Sequence, residues 1–320
     1  MSLVVTRVPE LADIEAARRR IGAHVRRTPL LRAAPVSQPA GPGELWLKLE
    51  CLQVIGSFKA RGAVSKLTTL PSAALARGIV TASGGNHGLG VAYAGWLARV
   101  PATVYLPSST PPAKMRKLEA WGARVVVEGA VWDDANQAAL AAAERDGLTY
   151  FHPFADPAVI AGQGTLGLEI LEDLPMVGTL VVAIGGGGLI SGISLAVKTV
   201  RPETRIVGVE PVGAPTLSES LRAGRLVELD AIRTAATTLA PRRSEAINLE
   251  IISRLVDEIV LVSDDDMRAA ARWLWHELGV AAELSSAAAV AALRAGRVTP
   301  RHDEPVCALV CGAGTDGLGD

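Results

Sequence analysis

The stretch LVVAIGGGGLISG, residues 180–192, decides the fold class of this chain of 320 residues. Its opening run, Leu180–Ile184, is apolar and rich in β-branched residues, which predicts a buried strand, and Leu189–Thr199 predicts a helix. Gly185–Gly188 join the two. Glycines there permit unusual backbone angles and bring N–H groups close to a ligand, and the helix N-terminus adds the positive end of its dipole. The stretch therefore predicts a strand–turn–helix unit that cradles a phosphate, the alternative being a tight turn that binds nothing.

The same alternation of short β-branched runs and Ala-rich helical stretches extends on both sides of this unit. Further strands are predicted at Ile79–Ala82, Thr103–Leu106, Arg124–Val127, Arg205–Val209, Ile259–Val262 and Glu304–Val310. Further helices are predicted at Asn86–Ala98, Pro111–Trp121, Trp132–Arg145 and Asp264–Leu278, the last capped by Ser263. Such units form a mostly parallel sheet with helices on both faces, and ligands bind in the loops beyond the carboxyl ends of the strands.

The composition narrows the class of protein. Hydrophobic residues make up 49% of the chain and charged residues 20%, so we expect a large core and little disorder. The formal net charge of -1 gives no electrostatic case for nucleic acid or an anionic membrane as a partner. The N-terminus lacks a signal-peptide pattern, and no apolar run is long enough to span a bilayer. The three cysteines and five histidines show no disulfide framework or metal-ligand spacing, so we expect a cytoplasmic protein without a metal site.

A lysine within IGSFKARGA, residues 55–63, has an unusual setting. Lys59 follows a Gly-Ser-Phe step and is flanked by small or apolar residues. Desolvation in such a setting lowers the pKa of a lysine and frees its amine to attack a carbonyl carbon. A surface lysine near a helix start is the alternative interpretation.

The loop TASGGNHGLG, residues 81–90, lies between a predicted strand and a predicted helix. Successive backbone N–H groups there suit a small carboxylate, and the amide of Asn86 can reach an oxygen of a bound ring. Asn86 is equally a candidate N-cap, and a lone histidine such as His87 is more often structural than catalytic.

Two further stretches contain candidate residues, namely Cys311 near the C-terminus and the glycines within residues 162–167. Cys311, in ALVCGAGTDG, ends a predicted buried strand and is either a small buried hydrophobe or a weak hydrogen-bond partner for a cofactor edge. GQGTLG, residues 162–167, matches the GxGxxG pattern but follows no clean strand and has no acidic residue near Val182. We interpret its glycines as close-packing positions in a helix.

The motifs occur in a fixed order between Thr28 and Gly317: RTPLL, LKLE, GSFKARGA, SGGNHG, HPFADP, AGQGT, GGGGL and a final Cys-Gly turn. This ordered set resembles the fold-type II pyridoxal-phosphate enzymes, specifically the serine/threonine dehydratase (ammonia-lyase) and serine racemase group. The resemblance implies a tryptophan synthase β-like α/β fold, with two doubly wound open-sheet domains and the cofactor in the cleft. It places residues 1–75 and 151–320 in a large cofactor-binding domain and 76–150 in a small mobile domain, and it implies a homodimer.

The resemblance also implies which residues hold the cofactor, pyridoxal 5'-phosphate, and the substrate. Lys59 would carry the cofactor as an internal Schiff base, with Phe58 packed at the ring. Asn86 would hydrogen-bond the ring 3-oxygen, and Cys311 would face the pyridine nitrogen. The phosphate would be bound by Gly185, Gly186, Gly187, Gly188 and Leu189. The carboxylate of an amino-acid substrate would be held by Ser83, Gly84, Asn86 and His87.

The activity implied by the resemblance is β-elimination of a hydroxy amino acid, L-threonine or L-serine, to a 2-keto acid and ammonia. Lys59 would remove the Cα proton. Two alternatives stay open. One is elimination or β-replacement on another β-substituted amino acid, such as a hydroxyaspartate, an ectoine-pathway intermediate or a cysteine-synthase-like substrate. The other is a non-catalytic binder with the same fold.

Two departures from the family pattern concern racemisation and metal binding. Racemases of the group carry a serine base where this chain has Gly84, so we expect negligible racemisation. A divalent-cation site in some relatives uses a Glu, a carbonyl and an Asp. Glu210 and Ala214 match, but Thr216 replaces the aspartate, so we expect no tight metal binding.

A third departure bears on the substrate. Many dehydratases carry an Ala-Asp-Gly segment on the substrate side, whereas this chain has Thr237 and Thr238 in place of Asp-Gly. Arg242 and Arg243 follow, either as groups that reach a second carboxylate or an acylated substrate, or as a solvated surface pair.

Overall fold

The computed structural model describes residues 7–300 and 304–318. The outermost ends of the predicted large domain, residues 1–6 and 319–320, lie outside this range. The strands formed by the described residues are β1 (Leu30–Arg32), β2 (Leu45–Leu49), β3 (Ile79–Ala82), β4 (Ala102–Leu106), β5 (Arg124–Val127), β6 (Thr149–Tyr150), β7 (Thr179–Ala183), β8 (Arg205–Pro211), β9 (Glu258–Val262) and β10 (Val306–Val310). The helices are α1 (Leu11–Ile21), α2 (Lys59–Thr69), α3 (Ser72–Leu75), α4 (Asn86–Ala98), α5 (Pro112–Ala120), α6 (Trp132–Asp146), α7 (Pro157–Asp173), α8 (Gly188–Val200), α9 (Thr216–Ala223), α10 (Ala246–Leu255), α11 (Asp264–Leu278) and α12 (Ala288–Arg294).

The strands form two separate sheets. The six-stranded sheet has the order β1-β2-β10-β7-β8-β9, and the four-stranded sheet has the order β5-β4-β3-β6. Among the strands of the described residues, only β1 and β2 pair antiparallel, and the other strand pairs of both sheets are parallel. The chain leaves the larger sheet after β2 and returns to it at β7, so the smaller sheet is inserted between two parts of the larger one. The two open, mostly parallel sheets confirm the predicted α/β fold, and the division into domains stays a prediction.

The sheets are covered on both faces, as parallel sheets require. Every residue of β7 and β10 is buried. In the smaller sheet, successive residues of β4 serve two different cores because strand side chains alternate between faces. Val104 and Leu106 pack in the core that includes α4, whereas Tyr105 packs against the alanines of α6. Across the described ranges, no helix is both long and apolar enough to cross a membrane.

Most predicted elements are present, with bounds that differ by one or two residues. The strands Ile79–Ala82 and Arg124–Val127 and the helix Asn86–Ala98 have the predicted bounds. The strand predicted at Leu180–Ile184 lies one residue earlier, because its pairing with β8 begins at Thr179. Ser263 caps α11 as predicted, accepting a hydrogen bond from the N–H of Asp266 (3.1 Å).

The GQGTLG glycines are packing positions, as predicted. They lie within α7, far from a strand end. A Cβ atom at Gly162 would lie 2.7 Å from the carbonyl oxygen of Arg61 in α2. A Cβ atom at Gly164 would lie 2.9 Å from the carbonyl oxygen of Gly192 in α8. The absence of side chains at these glycines lets the backbones of α2, α7 and α8 approach each other. This contact positions α2, which begins at Lys59, and α8, which begins at the end of the glycine loop Gly185–Gly188.

Gly162→Ala is expected to lower the free energy of unfolding by about 1–3 kcal/mol, because the added methyl overpacks the helix contact. This is the expected net change, after the gain of about 1 kcal/mol that alanine brings to a helix. Denaturant titration followed by circular dichroism measures it. Gly41→Ala is the control: its Cβ would lie 3.5 Å from the nearest atom, an ordinary contact, and its effect should stay within about 0.5 kcal/mol. A Gly162→Ala protein as stable as the wild type would contradict the packing account.

Candidate active site

Lys59 is the first residue of α2 and lies where three loops meet. Ahead of it, Ile55 adopts a positive φ of 65°, and the chain turns so that Phe58 lies beside the end of β10. The N–H of Phe58 donates to the carbonyl of Cys311 (3.1 Å). Lys59 Nζ donates to the carbonyl of Pro153 (2.7 Å), in the HPFADP loop. The amine is therefore held between the end of a central strand and the loop that precedes α7.

The environment of Lys59 favours its neutral form. The side chain is partly buried, and desolvation lowers its pKa from 10.5 to about 8, although Cys311 and Glu283 act in the opposite direction. A usable fraction of the amine is then unprotonated at neutral pH, where an ordinary lysine has only a trace. A neutral amine can attack a carbonyl carbon or accept a proton.

Arg61, two residues beyond Lys59, anchors α2 from the opposite side. Its guanidinium is fully buried and pairs with Glu50 (2.8 Å) and Glu169 (2.6 Å), and it also donates to the hydroxyl of Thr165 (3.2 Å). Removing one partner of such a buried pair leaves an uncompensated charge, which costs about 3–5 kcal/mol. The network therefore fixes the helix whose first residue is the reactive lysine.

The four-glycine loop can hold no larger residues. Gly187 has a φ of +95°, which side-chain-bearing residues rarely adopt. Cβ atoms at Gly186 and Gly188 would lie 2.3 Å from the ring of Phe154 and 2.5 Å from its carbonyl oxygen, respectively. Leu189 follows in the first turn of α8, whose first N–H groups have no partner within the helix. Close backbone approach and free N–H groups at a helix start are what a phosphate group needs.

The second loop, residues 83–87, places Asn86 as the first residue of α4. The N-cap position is taken by Gly85, so the predicted N-cap role of Asn86 is wrong. Its side chain instead donates from Nδ2 to Oε1 of Glu283 (2.7 Å). Ser83 Oγ accepts from the N–H of Gly85 (3.3 Å). The amide thus lies on the side of α4 that faces the larger sheet, at the end of residues 83–87, which we call the carboxylate loop.

His87 is turned away from this loop. Its ring is buried, and Nε2 lies 3.0 Å from the carbonyl of Phe151. Burial, and the nearby positive charge of Lys59, lower the pKa of His87 to about 3, so the ring is neutral. Any contribution of His87 to carboxylate binding therefore comes from its backbone N–H.

Cys311 follows β10 and lies next to Lys59. The side chain is buried, and its Sγ lies 3.9 Å from the carbonyl of Leu309. Burial and the nearby Glu283 raise the pKa of Cys311, so the group stays a thiol. A buried thiol is a weak donor and a small apolar group at once, which keeps both predicted roles compatible with its position.

Glu283 is the residue of this site that the sequence did not reveal. It is partly buried, accepts from Asn86, and also accepts from Ser286 Oγ (3.2 Å). Burial, and then the negative charge of Asp316, raise the pKa of Glu283 to about 7. Its stretch, AAELSSAAA, carries no recognisable pattern, and its partner Asn86 is 197 positions away.

The segment around Thr237 and Thr238, which departs from the dehydratase pattern, borders both the carboxylate loop and the four-glycine loop. Thr237–Leu239 forms a short 3-10 turn, and Thr238 lies beside Gly85 and Gly185. Arg242 points elsewhere: it pairs with Glu228 (3.1 Å) and lies 4.0 Å from Asp133. The solvated interpretation is confirmed for Arg242, and Arg243 is exposed as well.

The residues at the family's cation site have other partners here. Both carboxylate oxygens of Glu210 accept backbone N–H groups at the start of α9, from Leu217 (2.7 Å) and Ser218 (2.9 Å). The hydroxyl of Thr216 donates to the carbonyl of Pro241 (2.7 Å). No group of three or more His, Cys, Asp or Glu among the described residues is arranged to hold a metal. Metal independence stays a prediction.

Gly188→Ala is expected to weaken binding of pyridoxal phosphate to the apoprotein about tenfold or more, because the new Cβ would meet backbone atoms of Phe154 and displace the loop. Titration of the cofactor absorption band measures the affinity. Gly41→Ala is the control, with unchanged affinity. Full affinity in a folded Gly188→Ala protein would refute the assignment of this loop to the phosphate.

Three comparisons with known proteins agree with this geometry. Residues 21–312 match the model of the family described as "Pyridoxal-phosphate dependent enzyme". An L-threonine ammonia-lyase of Thermotoga maritima is 42% identical, over 88% of this chain and 70% of the relative. The structure of maize serine racemase matches with a TM-score of 0.92 and 31% identity, over 98% of this chain and 95% of that chain. The processed form of threonine deaminase isoform 2 from Solanum lycopersicum matches with a TM-score of 0.89 and 34% identity, over 98% and 94% of the two chains.

The residues present fit pyridoxal phosphate. A lysine that is partly neutral can attack the carbonyl carbon of the cofactor. Cβ atoms in the four-glycine loop would collide with Phe154, so the loop is limited to glycines, and its bare backbone allows a phosphate to approach closely. Lys59 and Gly185–Leu189 would hold these two ends, with Asn86 and Cys311 between them. This chain belongs to the family of pyridoxal-phosphate dependent enzymes.

Proposed function

We propose that this enzyme is an ammonia-lyase that eliminates the β-hydroxyl group of L-threonine or L-serine, giving a 2-keto acid and ammonia. The observation that carries the proposal is the partly neutral Lys59 amine, which is held by the carbonyl of Pro153 in the loop that precedes α7. Relatives from Thermotoga maritima and Geobacter sulfurreducens, both 42% identical, bear the name L-threonine ammonia-lyase and support the choice of substrate.

Each loop has a distinct task in this proposal. The N–H groups of Gly185–Leu189 would bind the phosphate of the cofactor, Phe58 would pack at its ring, and the Asn86 amide would donate to the ring oxygen. The loop at Ser83–His87 holds the substrate carboxylate. Pyridoxal phosphate, when bound, supplies an electron sink for the pair left at Cα. Lys59 Nζ takes the Cα proton, which requires the neutral amine that burial provides.

Cys311 favours elimination over other outcomes of Cα deprotonation. Burial keeps it a thiol, which is a poor proton donor, so it would not keep a pyridine nitrogen placed beside it protonated, and the electron sink supplied there would be weak. A weak sink would suffice for β-elimination, because the departing hydroxyl takes the electron pair, whereas transamination would require the pair to be held on the cofactor.

The substrate's β-substituent is proposed to be small and uncharged. Arg242, one of the two arginines considered for a second substrate carboxylate, is exposed and paired with Glu228. Thr238 places a neutral side chain near the carboxylate loop. Hydroxyaspartate is therefore disfavoured. β-Replacement remains the second candidate reaction, to be tested by adding a nucleophile such as sulfide.

We also propose that the enzyme works as a cytoplasmic homodimer. Trp275 is exposed on α11 and is a candidate interface residue, whereas Trp273 is buried and donates from Nε1 to the carbonyl of Gln38. The three cysteines are free and buried, which suits a reducing compartment.

Lys59→Ala is expected to lower kcat for keto-acid and ammonia release from L-threonine or L-serine by about 10³-fold or more, since it removes the base and the attachment point. L-threo-3-hydroxyaspartate should be a poor substrate of the wild type. Lys117→Ala, at an exposed position of α5, is the control and should retain full activity. A cofactor-loaded wild type that releases no keto acid from either L-threonine or L-serine would reject the proposed substrates.

Racemisation is expected to be negligible, because Gly84 has no side chain that could exchange a proton on the second face of Cα. Chiral chromatography of L-serine reactions, with pyruvate measured in the same samples, tests this. D-serine formed at a rate close to that of elimination would overturn it and would align the protein with the serine racemases that share its fold.

A further inference from the structure

Glu283 and Asn86 come from different parts of the fold and meet at the candidate site. Asn86 begins α4, in the part of the chain that carries the smaller sheet, and Glu283 precedes the 3-10 turn Leu284–Ala287, beside the end of β10. Their side chains form a 2.7 Å hydrogen bond from Nδ2 to Oε1. The pair therefore joins the two sheet-bearing parts at the position of the amide.

The bond decides which way the amide of Asn86 faces. A side-chain amide has a donor end and an acceptor end that differ little in shape, so its rotation is set by its hydrogen-bond partners. Oε1 of Glu283 is an acceptor for Asn86 and also for Ser286 Oγ, and it therefore selects the Nδ2 end. Nδ2 carries two N–H groups, and this bond uses one of them. The second remains on the same nitrogen for a ligand oxygen.

The backbone around Glu283 is built to hold it in place. The N–H of Glu283 donates to the carbonyl of Gly312 (3.1 Å). A Cβ atom at Gly312 would lie 2.8 Å from Oε1 of Glu283 and 3.1 Å from Nδ2 of Asn86. Only glycine leaves room for the pair at this position, one residue after Cys311.

Charges around the pair do not remove the acceptor. Glu283 interacts electrostatically with four titratable groups, namely Asp316, Lys114, Lys59 and Cys311. A proton on Oε2 leaves Oε1 able to accept from Nδ2 in either state of the carboxyl group. The orientation of the amide is thus maintained across neutral pH.

We propose that Glu283 is a positioning residue that locks the Asn86 amide with its donor end toward the cofactor oxygen. Glu283 acts through Asn86 and has no contact of its own with the reacting atoms. The inference rests on the proposed site but not on the identity of the substrate, because its consequence is cofactor affinity.

The test is a double-mutant cycle on the dissociation constant of pyridoxal phosphate, measured by absorption titration of the apoprotein. Glu283→Ala should weaken binding about tenfold, because the amide loses the acceptor that orients it. In an Asn86→Ala background the same substitution should change affinity less than about twofold, since the group it orients is gone. Glu283→Gln keeps an acceptor and should restore affinity to within about threefold of the wild type. Glu144→Ala, at an exposed glutamate of α6, is the control and should bind as the wild type does.

Equal losses from Glu283→Ala in both backgrounds, or no loss in the wild-type background, would overturn the proposal. If Glu283→Ala does not fold, Glu283→Met takes its place in the cycle, because it fills a similar volume without an acceptor. A cycle with the expected coupling, in a protein that releases no keto acid from threonine or serine, would uphold this inference while rejecting the proposed substrates.

Discussion

The desolvation of the Lys59 amine is the constraint on which the rest of the site depends. Burial lowers the pKa of Lys59 to about 8, and burial of the neighbouring histidines lowers the pKa of His87 to about 3 and of His152 to about 4. Burial is the largest cause in all three groups. The neighbouring histidines therefore stay neutral, whereas the Lys59 amine changes its charge near physiological pH.

The fold creates this environment by bringing backbone, rather than bulky side chains, close to the lysine. Glycines at the crossings of α2, α7 and α8 let these helices pack closely, and the glycine loop lets Phe154 lie against the start of α8. The buried pairs of Arg61 with Glu50 and Glu169 hold α2 from behind. The reactive amine is thus positioned by contacts that reach across the chain from residue 50 to residue 311.

Features with a local cause could be predicted from the sequence, and those with a distant cause could not. The strand–glycine–helix unit at residues 180–192 and the small-residue setting of Lys59 are both properties of a few adjacent residues. The role of Asn86 depends on Glu283, which no neighbouring residue signals, and an N-cap was an equally good local solution. Arg242 was ambiguous for the same reason, because its partner Glu228 is brought near only by the folded loop.

The most direct test of the account is to identify the amine that carries the cofactor. Borohydride reduction of the holoenzyme fixes pyridoxal phosphate to its amine, and peptide mass spectrometry then locates the modified residue. We expect a single modified peptide containing Lys59, and an unmodified protein when Lys59→Ala is treated in the same way. Modification at another lysine, or none at Lys59 in a protein that has taken up the cofactor, would contradict it.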